Sequence, residues 1–379
     1  MALFLYGTLL HPPLMALIAG PGPSRAEPAS LPGHAVDRTA EGHLPMLVVR
    51  PGAEAQGQLW TGMDSAQLAR LDAYETPFGY RLAPVSVRRA DGTVAKAQAY
   101  FPDVATSGSG VPWSLAEWVA LESPQTLLAA SEIAAHDPPL SGAELARQWP
   151  MIRHRASVRL RAAQEATPAT LRRAASSPAP ELLIERGRAG SFFKLVTVDL
   201  RHPTFAGSPS SVLTRDGFLG ADAALVLPYD AARDRVLLVE QFRVGPFLRG
   251  DTNPWTLEPV AGLIDAGEEP AAAARREARE EAGLELQDLT RMFATYASPG
   301  ASTDHFHCFL GIADLPQNEG WHGGLAEEHE DLRLHVLSLD AALELIETGE
   351  INVGPLVAML YWTARRRDRL AVQRRDAQP

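Results

Sequence analysis

The stretch GLIDAGEEPAAAARREAREEAGL, residues 262–284, constrains this chain more than any other, because it gathers five glutamates between two glycines. Pro270 suits the first helical turn, where its missing N–H costs nothing. The alanines after it are strong helix formers, and Gly283 suits the left-handed residue just past a helix end. The pattern predicts a helix from about Pro270 to Ala282. On it Glu277, Glu280 and Glu281 stand at i, i+3 and i+4, so their carboxylates leave one face. A solvated helix gains from opposite charges at these spacings, whereas like charges repel by roughly 0.2–0.5 kcal/mol per pair. Clustered carboxylates make better sense around a hard divalent cation, Mg2+ with Mn2+ as the alternative, whose oxygen shell leaves room for substrate phosphates. Glu268, in the loop before the helix, can fold toward the same metal or toward Arg276.

At 379 residues the chain exceeds one ordinary domain. Short apolar runs separated by Gly and Pro fill the first hundred residues and read as strands around one helix at 65–75. An Ala- and Arg-rich helical texture follows. A second set of strands begins near Leu182, with FFKLVTVDL, AALVLPYD and RVLLVEQFR. The expected organisation is a domain over 1–110, a helical linker over 111–180 and a second domain over 181–379. The arginines of the middle segment, Arg153, Arg155, Arg159, Arg161, Arg172 and Arg173, read as a solvated helical surface, since no aromatic residues interleave with them. A formal charge of −11 argues against nucleic-acid binding, which needs clustered cations. Cys308 is the only cysteine, which suits a reducing cytoplasm. The apolar start lacks a leading positive charge and is broken at His11-Pro12-Pro13, so it reads as a buried strand and not as a membrane span.

Residues 262–284 resemble the Nudix box at every specified position: Gly262, Glu268, Arg276, Glu277, Ala278, Glu280, Glu281, Gly283 and Leu284. The resemblance implies an α/β/α sandwich with a mixed sheet and a hydrolase that cleaves a nucleoside diphosphate linked to another moiety. Glu277 and Glu281 would be the main metal ligands, the Ala261 carbonyl a further one, and Glu280 a supporting catalytic group. Pro299 falls sixteen residues after Gly283, a spacing similar to that of the ADP-ribose pyrophosphatase subgroup. LRHPTFAG (200–207), VLLVEQFR (236–243), WTLEPVAG (255–262) and AEEHEDLRLHVLS (326–338) also resemble that subgroup. By this resemblance Glu328 is the catalytic base, with Glu327 and Glu330 as neighbouring alternatives. Arg243 and Glu258 line the pocket together with Pro299 and Asp304, and relatives more often carry Glu in the place of Asp304. The implied substrate is ADP-ribose or a related nucleoside diphosphate sugar, the products from ADP-ribose are AMP and ribose 5-phosphate, and the implied assembly is a homodimer. His305 and His307 read as alternate residues of a strand, not as zinc ligands.

FLYGTLL at 4–10 reads as a strand entering a Gly-Thr turn whose amides can cradle a carboxylate. With LPMLVV (44–49), GQLW (57–60) and LDAYETPFGYR (71–81) it resembles the gamma-glutamylcyclotransferase-like, or AIG2-like, family over about residues 1–105. That implies a barrel-like α+β domain in which Tyr6, Gly7, Thr8 and Leu9 bind substrate and Glu75 is the acid/base; Tyr80 and Arg81 also fit. The implied chemistry on a gamma-glutamyl amine or peptide needs no metal: the base takes a proton from the substrate's alpha-amine, which attacks its own gamma-carbonyl and releases 5-oxoproline. A non-catalytic sensor or dimerising module is the alternative. The fusion resembles a tellurite-resistance-associated type, a phenotype that fixes no reaction.

Overall fold

Leu3-Phe4-Leu5 closes the sheet of the first unit. In the computed structural model, which describes residues 1–40, 44–102, 108–136, 138–165, 168–172, 179–190, 192–316, 322–324 and 331–370, this strand, β1 (Leu3–Leu5), pairs antiparallel with β3 (Pro45–Thr61) and parallel with β5 (Val94–Pro102). β4 (Tyr80–Arg89) and β2 (Arg25–Thr39) complete the ring back to β3, and β6 (Gly108–Pro112) adds to β2. The result is a closed, five-stranded barrel-like sheet. Alternation along β1 divides two cores, as successive side chains of a strand must. Phe4 faces inward with Leu31, Leu47, Leu59 and Val87. Leu3 and Leu5 face a helical layer instead.

That layer holds α1 (Pro12–Ala19), α2 (Ser65–Glu75), α3 (Leu115–Leu121), α4 (Ser123–Ala134) and α5 (Gly142–Gln164). Here the structure corrects the sequence reading. The helices expected as a linker over 111–180 pack on the first unit: Trp118, Ala129, Leu145 and Ile152 share one buried cluster with Leu3, Leu14 and Leu71. The first compact unit therefore runs from Met1 to Pro168, and the second from Ala169 to Pro379. Each large side chain so buried contributes roughly 1.5–3 kcal/mol, which a solvated linker forgoes. Arg155 also departs from the expected solvated face. It is 4% exposed and its guanidinium holds Glu132 of α4, Nε to Oε2 at 3.1 Å and a terminal nitrogen to Oε1 at 2.7 Å.

In the second unit β7 (Glu181–Ala189), β8 (Lys194–Arg201) and β9 (Leu213–Leu219) form a three-stranded antiparallel sheet. A mixed sheet follows: β10 (Asp222–Asp230), β11 (Arg235–Phe242), β12 (Trp255–Glu258), β13 (Val260–Leu263), β14 (Asp288–Tyr296), β15 (His305–Ile312), β16 (His322–Gly323) and β17 (Leu332–Ser338). β10 and β15 run parallel, while the other pairs are antiparallel. The short helix α6 (Val244–Arg249) joins β11 to β12. β10 is buried along its whole length because both of its faces are covered. Ala224 and Val226 pack toward α7 (Pro270–Ala282). Ala223, Leu225 and Leu227 pack toward α8 (Leu339–Thr348) and α9 (Gly354–Ala364). This is the α/β/α sandwich with a mixed sheet that the sequence led us to expect. Among the described residues no helix is long and apolar enough to cross a membrane.

Candidate functional site

α7 spans the expected residues, with Pro270 in its first turn and Gly283 left-handed at φ 64° just past its end. Its buried face consists of Ala273, Ala274, Ala278 and Ala282 with Glu277 and Glu281. Small side chains let the helix axis come close to the sheet, so the two carboxylates reach backbone. Glu281 is 3% exposed and its Oε2 accepts the Ala261 N–H of β13 at 3.1 Å. Glu277 lies over Gly262, where an added Cβ would stand 1.8 Å from its Oε1. Only a residue without a side chain leaves room for that carboxylate.

Arg276 gathers the other acids. It donates to Glu268 from Nε at 3.1 Å and from a terminal nitrogen at 2.9 Å, to Glu277 at 2.5 Å and to Glu280 at 2.9 Å. It also bonds the Leu263 carbonyl at 3.0 Å. These bonds, the one to Glu268 foremost, raise the guanidinium above its ordinary range. Of the two directions open to Glu268, the structure takes the one toward Arg276. One positive charge thus faces three carboxylates, with Glu281 buried beside them. The set is oxygen-only and net negative, a composition that fits a hard divalent cation.

Arg243, just past β11, spans Glu258 of β12 with two bonds, Nε to Oε1 at 2.8 Å and a terminal nitrogen to Oε2 at 2.7 Å. Thr256 adds a third bond to Oε1 at 2.6 Å. Glu258 is thereby fixed in an 8% exposed position, in the planar fork geometry that arginine offers a carboxylate. Pro299 is exposed in a turn that docks on the end of β9: Phe218 N–H bonds the Ala301 carbonyl at 2.7 Å and Thr303 N–H bonds the Phe218 carbonyl at 3.0 Å. Asp304 accepts the Ser302 hydroxyl at 2.6 Å and lies over Gly220, whose missing side chain makes the space. Strand register sets His305 beside Asp222 and Leu263 beside Ala223, so this turn and β13 meet at the same end of β10. Glu327, Glu328 and Glu330 lie outside the described residues. His305 and His307 sit on β15 as expected.

In the first unit Tyr6 follows β1, and Thr8–Leu10 form a 3-10 turn closed by Leu10 N–H on the Gly7 carbonyl at 3.0 Å. The Tyr6 hydroxyl donates to the Tyr100 carbonyl at 2.7 Å, and Tyr80 donates to the Pro45 carbonyl at 2.7 Å. Gly7 lies against the Pro45 ring, whose Cγ would be 2.5 Å from an added Cβ. Leu9 is buried in the apolar core, so of that residue only the backbone is left to meet a substrate. Glu75 ends α2, and burial pushes its carboxyl up to about 8. Tyr6, Tyr74, Tyr80 and Tyr100 lie within reach of its charge. Their hydroxyls are held above the ordinary 10, first by burial and then by charge, that of Glu75 acting on each. A carboxyl poised near neutral pH can serve as acid and as base.

Sequence reasoning missed Tyr74, Tyr100, Thr256 and the glycines at 323 and 324. Tyr74 carried a signal, being next to Glu75 in LDAYETPFGYR. Tyr100 comes from a distant strand and carried none.

Two family matches accompany this geometry. Residues 3–120 match the family described as gamma-glutamyl cyclotransferase, AIG2-like, and residues 220–359 match the NUDIX domain. Over 184 residues the chain is 38% identical to the ADP-ribose pyrophosphatase of Haemophilus influenzae, covering 48% of this chain and 84% of that protein. The ADP-ribose pyrophosphatase of Escherichia coli K12 is 40% identical over 171 residues, covering 45% of this chain and 81% of that protein. A GDP-mannose pyrophosphatase of Escherichia coli O139:H28 is 36% identical over 148 residues, covering 39% of this chain and 76% of its own.

Proposed function

We propose, from the premise that this chain belongs to the NUDIX family, that its second unit hydrolyses the diphosphate of ADP-ribose or a related nucleoside diphosphate sugar. From ADP-ribose the products are AMP and ribose 5-phosphate. The observation that carries this reading is the burial of Glu277 and Glu281 against Gly262 and Ala261, with Glu268 and Glu280 tied to Arg276 on the same helix. Glu277, Glu281 and the Ala261 carbonyl would hold a divalent cation, Mg2+ or Mn2+, with Glu280 in support. When bound, the cation supplies positive charge that offsets the charge developing on both phosphoryl groups. Glu328 takes the proton of the water whose oxygen attacks one phosphorus, and the bond from that phosphorus to the bridging oxygen breaks with its electron pair leaving on the other phosphate. Arg243 and Glu258 shape the pocket beside the cation, while Pro299 and Asp304 bear on which sugar diphosphate is taken. Exposed Leu182, Ile184 and Leu195 on the three-stranded sheet favour a homodimer, and the single, buried Cys308 suits the cytoplasm. Glu281→Gln tests the reading: turnover of ADP-ribose lost in a protein that still folds upholds it, and unchanged turnover refutes it.

The Glu75 site favours a second activity for the first unit, a gamma-glutamyl cyclotransferase. Glu75 takes a proton from the substrate's alpha-amine, the nitrogen bonds to the gamma-carbonyl carbon, and the gamma C–N bond breaks as Glu75 returns the proton to the leaving amine. 5-Oxoproline remains. Its release, abolished in Glu75→Gln, separates this reading from a sensor or dimerising module. Truncation before Leu182 tests the module, which is refuted if kinetics and oligomeric state are unaltered.

A further inference from the structure

The last turn of a helix leaves carbonyls that need partners from elsewhere. At the end of α7 the Gly283 and Leu284 amides bond back to the Arg279 and Ala278 carbonyls. The Glu281 carbonyl is served differently: it accepts the Gly324 N–H at 3.3 Å, from the residue just after β16. Gly323 pairs with Leu332 of β17 and passes so close to α7 that an added Cβ would lie 2.0 Å from the Glu281 carbonyl oxygen and 3.1 Å from Leu334 Cδ1. Gly323 is outside the left-handed region, so space alone forbids a side chain there. Gly324 at φ 88° is left-handed. The two glycines have different physical reasons to be glycine, and both bear on one residue of the helix.

We propose that Gly323 and Gly324 are positioning residues for Glu281, acting as a latch that sets how deep the last turn of α7 lies against the sheet. Glu281 is held at both ends, its carbonyl by Gly324 and its carboxylate by the Ala261 N–H at 3.1 Å. The Glu281 carbonyl and carboxylate hang on one Cα, so pushing the first away drags the second from Ala261. The effect on metal rests on the reading of Glu281 as a ligand; the effect on the Ala261 bond does not.

The test compares full-length Gly323→Ala with Gly349→Ala. Gly349 is left-handed, at φ +83°, as Gly324 is and Gly323 is not; it caps α8 and has open space around it. In the metal-free protein, hydrogen exchange of the Ala261 amide is expected to speed by about tenfold or more in Gly323→Ala and to be unchanged in Gly349→Ala. Mn2+ affinity, followed by electron paramagnetic resonance, is expected to weaken by about tenfold in Gly323→Ala alone, the lower end of what supporting contacts around metal ligands are worth. Unchanged Ala261 exchange in folded Gly323→Ala overturns the latch. Faster exchange with unchanged Mn2+ affinity upholds the latch and removes Glu281 from the ligand set. Should Gly323→Ala not fold, the Gly324 amide of the unaltered protein decides: exchange at an unprotected rate overturns the proposal, and protection upholds it.

Discussion

Replacing Glu75 by Gln is expected to stabilise the first unit by an amount that grows with pH. The carboxyl titrates at its ordinary 4.5 in the unfolded chain and at about 8 in the fold, where burial disfavours its charged form. Between those values the folded state holds more protons than the unfolded one. The stability that Glu75 contributes is therefore fully present below about pH 4.5 and is lost as pH rises through about 8. A gap of about 3.5 pH units, at about 1.36 kcal/mol each, sets a ceiling near 5 kcal/mol. Glu75 keeps some solvent contact, so we expect about 2–3 kcal/mol after screening. Gln has the same shape and no charge, and escapes the loss. Two units unfold in one chain, so the assay is hydrogen exchange read on peptides of α2 and β1 at pH 5, 7 and 9, on parent and variant. The advantage of Glu75→Gln should be small at pH 5 and largest at pH 9. An advantage that does not change with pH, or a variant less stable at pH 9, refutes the reasoning.

Other substitutions probe the remaining contacts. Gly262→Ala places a Cβ 1.8 Å from Glu277 Oε1, and displacing that carboxylate by about 1 Å should lower kcat roughly 100-fold, measurable by single turnover with saturating metal. Arg276→Met leaves Glu268, Glu277 and Glu280 without their shared cation and should cost about 1–3 kcal/mol, read as a lower urea midpoint for the second unit. Arg155→Ala removes the buried guanidinium that holds Glu132, which is 8% exposed, and should cost about 3–5 kcal/mol; joint replacement of both by leucine should recover most of it. Chelation with EDTA should stop ADP-ribose hydrolysis, and Mg2+ or Mn2+ should restore it; full activity in the chelator would refute metal dependence.

Local features determined much of this protein in advance. The bounds of α7 were legible because Pro270 and Gly283 act through the backbone of their immediate neighbours, and the glutamate face because helical spacing is a property of the chain alone. The strands around 192–200, 223–230 and 235–243 were legible for the same reason. Long-range packing decided the rest. Helical periodicity from 115 to 164 said that one face is apolar, but only the fold determined that this face meets Leu3, Leu14 and Leu71. Arg155 has the same sequence character as the exposed Arg159, yet one is enclosed beside Glu132 and the other is not. Glu75 owes its poise near neutral pH to burial and acts on Tyr6 and Tyr100 from parts of the chain distant in sequence, and Gly323 must lack a side chain because the end of α7 lies 2.0 Å from where one would begin. Desolvation and steric exclusion depend on which distant segments arrive, and that information is absent from any short window of sequence.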